Sequence, residues 1–403
     1  MELTCHSTDS QSVYTVVHNS EPVGFLVIDS TVAGRACGGL RMMPDVDELE
    51  LSLLARDMTL KYGFLGLPQG GAKAGVRGDP EAPQEQRWAL LEQFGQALAP
   101  LLRTRQYMPG TDMGTNNADI RHLMAAAGAP LYKRELRGTR SGFYTALTVF
   151  STARQAARHL GLDLASCRAA VEGFGRVGGP LAGLLHEAGV RVVAISTSHG
   201  ALYDPSGLDI PRLQTLATTA GHRVVEHYPD AERLDPPALL ELPVELLSPC
   251  ARHNSIREDN ADRLQAPLVC PGANSPLTPG AEQALAARGV LCLPDFVANS
   301  GGVLGGTMEF AGLRERQIRD LVQRRFEPRV AELLQEAQRR GVLPRVVAEE
   351  VALRQFAEVQ KQVAHPTPRG RVLDMGLALH RRGLVPIALV RAFAPRYFDQ
   401  RLR

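Results

Sequence analysis

Lysine is scarce in this chain. Of 45 basic residues among 403, only Lys61, Lys73, Lys133 and Lys361 are lysines, and the rest are arginines. A bias toward arginine explains the general pattern. It leaves the surviving lysines as candidates for places where arginine does not serve, because lysine gives up its proton when desolvated and arginine does not. Surplus charge is also missing: the formal net charge is +2, which offers no electrostatic case for nucleic acid. An Arg-rich C-terminus does not change this, because acidic residues balance it. No uncharged apolar run approaches the roughly 18 residues of a membrane span, so no membrane partner is expected. The N-terminus, Met1-Glu2-Leu3-Thr4-Cys5, has neither a basic nor an apolar leader region. Cysteines at 5, 37, 167, 250, 270 and 292 form no Cys-x-x-Cys pair, and no histidine stands at zinc-ligand spacing. This excludes a recognisable metal site and reads as a reduced, cytoplasmic protein.

What is present is ordinary for a globular protein of two or three domains, with 44 % apolar and 22 % charged residues. Residues 12–30 alternate as two strands joined by a turn. Residues 46–63 carry Leu49, Leu51, Leu53, Leu54 and Met58 at helical spacing, with Lys61 in the last turn. The stretch from Leu67 to Val76 is Gly-rich and reads as a loop entering a strand. A helix is expected over 83–103, then a second Gly-rich loop from Tyr107 to Asn117 leading to a capped helix. From 143 the texture changes to alternating helices and short apolar strands at 168–172, 190–196, 243–247, 267–270 and 290–293. That alternation marks a doubly wound parallel sheet. Beyond about 311 the pattern is helical.

Gly173-Phe174-Gly175-Arg176-Val177-Gly178 matches G-x-G-x-x-G between a strand and a helix. There it fits a dinucleotide pyrophosphate on a helix N-terminus; the alternative is a chance glycine turn. The next strand ends Ser196-Thr197-Ser198-His199-Gly200, without the carboxylate that takes the ribose 2′-hydroxyl of NAD. This tilts the expectation to NADP, with His199 or Arg176 near the 2′-phosphate. Lys73, between Gly71 and Gly75, suits a desolvated general base, and Asp112 in its own Gly-rich loop suits a proton carrier. A salt bridge or loop cap explains each equally well. Lys61 is explained by the helix dipole alone, Cys37 and Cys270 as small buried side chains, and Asn274 and Asn299 as turn caps.

Together these segments resemble the glutamate/leucine/phenylalanine/valine dehydrogenase family. The matches run in order: Gly38-Gly39-Leu40-Arg41-Met42, Met58-Thr59-Leu60-Lys61, Leu67 to Lys73, Asp112-Met113-Gly114-Thr115-Asn116, the Gly173 fingerprint, Gly272-Ala273-Asn274, and Pro294-Asp295 through Asn299-Ser300-Gly301-Gly302-Val303. The resemblance implies an NAD(P)-dependent oxidative deamination of an L-amino acid to a 2-oxo acid and ammonia. It implies an α/β substrate and oligomerisation domain over 1–140 and a Rossmann-like doubly wound dinucleotide domain over 141–310. A helical segment over 311–403 is expected to pack back on the first domain. On this reading Lys61 holds the α-carboxylate, Lys73 activates water and Asp112 moves protons. Gly173, Gly175, Arg176, Val177, Gly178, Thr197, His199, Asn274 and Asn299 line the cofactor. A homo-oligomer is implied.

The substrate pocket is expected from Cys37, Gly38, Gly39, Gly110, Val303 and Gly306. Members specific for glutamate carry a lysine where Cys37 stands and a hydroxyl residue where Gly306 stands. An apolar, branched-chain or aromatic amino acid is therefore favoured, with glutamate the alternative. The chain departs from the family at Arg140, Arg176, Thr197 and Pro271, all on the cofactor side. A non-catalytic regulatory paralogue is accordingly the rival from another class.

Overall fold

The computed structural model describes residues 1–8, 10–131 and 139–402. Lys133 lies outside the described residues. The chain divides into two units. One comprises Met1–Thr139, Phe310–Gly312 and Val351–Phe393; the other comprises Arg140–Glu309, Leu313–Glu350 and Ala394–Arg403. The helical C-terminus is thus shared between the units, where the sequence suggested one segment packing on the first domain.

The first unit holds strands β1 (Glu2–Ser7), β2 (Ser12–His18), β3 (Glu21–Ile28), β4 (Ala36–Met42), β5 (Gly70–Val76) and β6 (Tyr107–Thr111). Their order is β1-β2-β3-β5-β4-β6. β1, β2, β3 and β5 pair antiparallel, while β5, β4 and β6 run parallel. Asn19 and Ser20 both take positive φ between β2 and β3, the conformation that a two-residue hairpin turn demands.

The strand expected after the first Gly-rich loop is β5, which takes in most of that segment, and the second Gly-rich segment, expected as a loop, holds β6. All seven residues of β5 are buried. Glycine is tolerated there because β3 and β4 hydrogen-bond to both edges of β5, and because helix Glu48–Phe64 comes down onto it. A Cβ on Gly71 would overlap the Thr59 backbone nitrogen and hydroxyl. That helix starts on Asp47, whose carboxylate accepts from Glu50 N at 2.8 Å. It buries Leu51, Leu54 and Ala55, but Leu49 and Leu53 point outward at 71 % and 57 % exposure. The expected helix over 83–103 is two helices, Gln84–Ala97 and Ala99–Arg103, broken at Leu98.

On one face of this sheet Leu40, Met42, Ala72, Ala74, Val76 and Tyr107 pack against Phe94, Leu98 and Leu123. Each large side chain there contributes about 1.5–3 kcal/mol. The opposite face of β4, β5 and β6 carries the alternate residues, which is where the polar groups lie.

The second unit holds β7 (Arg168–Glu172), β8 (Arg191–Thr197), β9 (Gly200–Tyr203), β10 (Glu232–Leu234), β11 (Leu246–Pro249), β12 (Leu268–Val269) and β13 (Leu291–Cys292). The order is β10-β9-β8-β7-β11-β12-β13. From β8 to β13 the strands are parallel, and β9 and β10 extend the sheet antiparallel beside β8. The chain's last stretch belongs here: Phe398 is 2 % exposed, and Asp399 accepts two hydrogen bonds from Arg325 at 2.7 and 2.8 Å. Among the described residues no helix is long and apolar enough to cross a membrane.

Candidate active site

Strand register assembles the polar face. β4 pairs Cys37 with Gly71 and Arg41 with Gly75 on β5. On its other side it pairs Cys37 with Met108 and Gly39 with Gly110 on β6. Side chains alternate along a strand, so Cys37, Gly39, Arg41, Lys73, Met108 and Gly110 share one face. Asp112 follows directly at the end of β6.

Lys73 Nζ lies 2.7 Å from Asp112 Oδ2, and Arg41 Nε donates to the same oxygen at 3.1 Å. Arg41 also pairs with Glu50 from helix Glu48–Phe64. Lys73 is 3 % exposed and Arg41 4 %. Burial is the largest influence on Lys73 and draws its pKa down. The Arg41 charge adds to this, and Asp112 opposes without reversing it. Asp112 goes the other way: burial favours its acid form, but Lys73 and Arg41 outweigh that and hold it far below the usual carboxylate range. Arg41 stays fully charged, because Asp112 and Glu50 outweigh its desolvation. The result is a fixed carboxylate beside an amine that is easy to deprotonate.

Two glycines make the approach possible. A Cβ on Gly39 would stand 2.9 Å from Asp112 Cβ, and one on Gly38 would overlap the Ala72 carbonyl oxygen. Gly110 faces open space. The Tyr107 hydroxyl donates to Gly38 O at 3.1 Å. Burial pushes the Tyr62 phenol well up, with the Cys37 thiol as its hydrogen-bond partner. Thr115 pins the Asp112 turn: its Oγ1 accepts from Asp112 N at 3.0 Å and donates to Leu40 O at 2.7 Å. Lys61 is 5 % exposed, in the last turn of the helix that covers Gly71.

In the second unit, β7 ends in Glu172 and the chain turns at Gly173, whose φ is +87°. Gly175 meets open space, and a Cβ on Gly178 would overlap Gly173 O. These are the three glycine roles of a dinucleotide turn: tight bend, close ligand approach and helix packing. Val177 caps helix Gly178–Glu187 with no side-chain bond, leaving backbone amides for an anion. Gly173 N donates to Ser196 Oγ at 3.0 Å and Phe174 N to Ser196 O at 2.6 Å, tying the turn to the end of β8. Arg176 is exposed on the turn. His199 N donates to Thr197 Oγ1 at 3.1 Å.

Asn299 and Asn274 do come together: Asn299 Nδ2 donates to Ala273 O at 2.9 Å and to Asn274 Oδ1 at 3.0 Å, while Asn299 Oδ1 is buried with no protein partner. An orphaned amide oxygen beside a paired amide fits the carboxamide and ribose of a nicotinamide. On helix Gly301–Phe310, Val303 and Gly306 are partly exposed, while Leu304, Gly305 and Met308 are buried. Cys270 is buried, its thiol 3.5 Å from Val149 O and pushed far above its usual pKa by burial, so it is inert. Among the described residues no group of three or more His, Cys, Asp or Glu could hold a metal.

Three positions beside the expected site residues are not legible in the sequence. Arg41 stands inside the Gly38–Met42 segment, yet only register reveals that it reaches Asp112 while paired with Glu50. Arg345 donates to Glu282 at 2.7 Å and to Asp295 at 2.9 Å, and Asp295 accepts from Ser275 N at 2.9 Å beside Asn274. Glu226 lies 3.3 Å from His199, and nothing in their spacing joins them.

A Rossmann-like sheet with a dinucleotide turn, joined to an α/β unit bearing a buried Lys–Asp pair, defines a nicotinamide-dependent oxidoreductase. Family models agree. Residues 140–363 match the Glutamate/Leucine/Phenylalanine/Valine dehydrogenase model and residues 14–128 match the Glu/Leu/Phe/Val dehydrogenase dimerisation domain. The chain belongs to this family and is an amino-acid dehydrogenase. Among its relatives, a glutamate dehydrogenase of Thermotoga maritima is 35 % identical over 295 residues, covering 70 % of each chain. An NAD-specific glutamate dehydrogenase of Staphylococcus aureus is 29 % identical over 358 residues, covering 84 % of this chain and 85 % of the other. The structure resembles a hetero-hexameric glutamate dehydrogenase of Thermus thermophilus in a Leu-bound form. The TM-score is 0.72, identity is 27 %, and coverage is 87 % and 89 %.

Proposed function

We propose that this chain converts an L-amino acid with an apolar side chain, branched or aromatic, reversibly to its 2-oxo acid and ammonia. The observation that carries the chemistry is the buried Lys73–Asp112 contact at 2.7 Å, with the lysine pKa drawn down. Lys61 pairs with the substrate α-carboxylate. Asp112 accepts a proton from the substrate nitrogen. The Gly173–Gly178 turn would hold the pyrophosphate of a nicotinamide cofactor and Asn274 and Asn299 its nicotinamide end, where the bound cofactor would supply the hydride acceptor for Cα. Neutral Lys73 then takes a proton from the water that attacks the resulting imino carbon; Asp112 returns its proton to the nitrogen, the C–N bond breaks to release ammonia, and the Asp112 carboxylate takes the hydroxyl proton as the 2-oxo carbonyl forms.

The apolar preference rests on Cys37 beside Tyr62 and on the open space at Gly110. A side-chain carboxylate buried there without a cation would cost several kcal/mol. One observation favours glutamate instead: Arg105 Nη2 lies 3.4 Å from Met108 Sδ, next to the Cys37 pairing position. The named relatives are also glutamate dehydrogenases. We read the assembly as a homo-oligomer; the hetero-hexameric relative supports a subunit with an unlike partner as the rival.

Absorbance at 340 nm with ammonia, NADH or NADPH and a panel of 2-oxo acids tests these readings together. Turnover of 4-methyl-2-oxopentanoate or phenylpyruvate but not 2-oxoglutarate upholds the apolar pocket. Turnover of 2-oxoglutarate alone overturns the apolar pocket and calls for a carboxylate anchor, for which Arg105 is the candidate. Silence throughout, with no cofactor bound, moves the chain to the regulatory class.

A further inference from the structure

The strand next to a dinucleotide turn commonly ends in a carboxylate that receives the ribose 2′-hydroxyl. Here β8 ends in Ser196 and Thr197, and the sequence supplies no acid for several residues. The fold brings one in from elsewhere. Ser196 is bonded directly to the fingerprint turn through Gly173 N and Phe174 N. Thr197 Oγ1 accepts from His199 N, and His199 Nδ1 lies 3.3 Å from Glu226 Oε1. Glu226 stands on the single helical turn Val224–His227. That turn is anchored beneath the β8–β9 hairpin: Val224 and Val225 are buried, Val225 faces Gly200, and Arg233 Nη2 donates to Glu226 O at 2.8 Å. The side chains of His199 and Glu226 are 35 % and 37 % exposed, so a ligand can reach them.

We propose that Glu226 sets the dinucleotide preference. It receives the ribose 2′-hydroxyl in place of a strand-end acid, and so selects NAD over NADP. This rests on the dehydrogenase reading and refines it. His199, which the sequence offered as a phosphate contact, is instead oriented by Glu226. Arg223 Nη1 lies 3.6 Å from the other Glu226 oxygen, so the local charges are already matched. A 2′-phosphate would add negative charge against Glu226 and leave it without compensation. Neutralising Glu226 leaves Arg223 unmatched and removes the preference, and reversing its charge inverts it.

The test is fluorescence titration of the full-length protein with NADH and with NADPH, for wild type, Glu226→Gln and Glu226→Arg. Wild type is expected to bind NADH about tenfold or more tighter than NADPH. Glu226→Gln should lower that ratio about tenfold, and Glu226→Arg should invert it. A wild type that prefers NADPH, or variants that keep the wild-type ratio while turning over a 2-oxo acid, overturns the role of Glu226 and leaves the dehydrogenase reading standing. Failure of folded wild type to bind either nucleotide overturns both.

Discussion

Lys73 and Asp112 meet at 2.7 Å across β4, the strand between theirs, because β4 carries a glycine, Gly39, on the face they share. Neither side chain has to bend around a neighbour. The lysine is dry enough to lose its proton, and the aspartate is held charged by two cations.

Lys73→Arg keeps the charge and removes the deprotonatable amine. Deamination should fall by roughly 10³-fold or more, while the affinity for NADH stays within about twofold, because the turn proposed to bind it lies in the other unit. Steady-state rates and a nucleotide titration on the same preparation check this; full activity removes Lys73 from the mechanism.

The pH profile should carry the same signature. On the proposed mechanism neutral Lys73 is the active form, so kcat/KM for deamination should rise with pH and level off, with a midpoint below the ordinary lysine value of about 10.4. Arg41 contributes to lowering that midpoint. Arg41→Gln should therefore shift the limb toward higher pH, and a limb that does not move would assign it to another group.

The two glycines of β4 should separate fold from function. Gly38→Ala drives a methyl into the Ala72 carbonyl, backbone against backbone, and should prevent stable folding. Gly39→Ala presses on Asp112 Cβ and the Thr111 carbonyl at 2.9 and 3.1 Å. It should leave a cooperative melt yet cost about 10–100-fold in turnover through displacement of Asp112. Thermal melts and rates together check the contrast.

Glu172 should make stability depend on pH. Burial raises its carboxyl from 4.5 to about 7, against the pull of the Ser255 hydroxyl and the Arg252 charge. Between these values the folded protein keeps a proton that the unfolded chain releases, so stability falls as pH rises through that window and the loss is complete above it. Glu172→Gln has no such proton. It should flatten the profile and gain on the order of 2 kcal/mol over wild type at pH 8. Denaturant melts at pH 5 and pH 8 measure it; parallel profiles would place the titration elsewhere.

Much of the second unit was legible because each step is local. A strand, Gly173, the spaced glycines and a helix sit within a few residues. The first unit was harder. Leu67–Val76 reads as a loop entering a strand, and β6 reads as a loop, since glycine has low strand preference by itself; it is burial between neighbouring strands and under a helix that holds Gly70–Val76 extended along its whole length. Lys73 and Asp112 were legible from residue type and setting, but Arg41 and Glu50 were not, because Arg41 reaches Asp112 through register and Glu50 reaches Arg41 from a helix that crosses the sheet. Glu226 belongs with them: it stands 27 positions after His199 in sequence, and only folding makes them neighbours. Leu49 and Leu53 show the opposite failure, where a periodic apolar pattern runs onto a face that the fold leaves exposed.

The tail of the chain is a component of the dinucleotide unit. Asp399 on Arg325 and the buried Phe398 secure the last ten residues to a body whose sheet ended a hundred residues earlier. A premature stop near residue 390 would therefore strip the unit that carries the glycine turn, far from any residue that touches the cofactor. The wiser end for an affinity tag is the N-terminus, where β1 is an edge strand with mostly exposed residues.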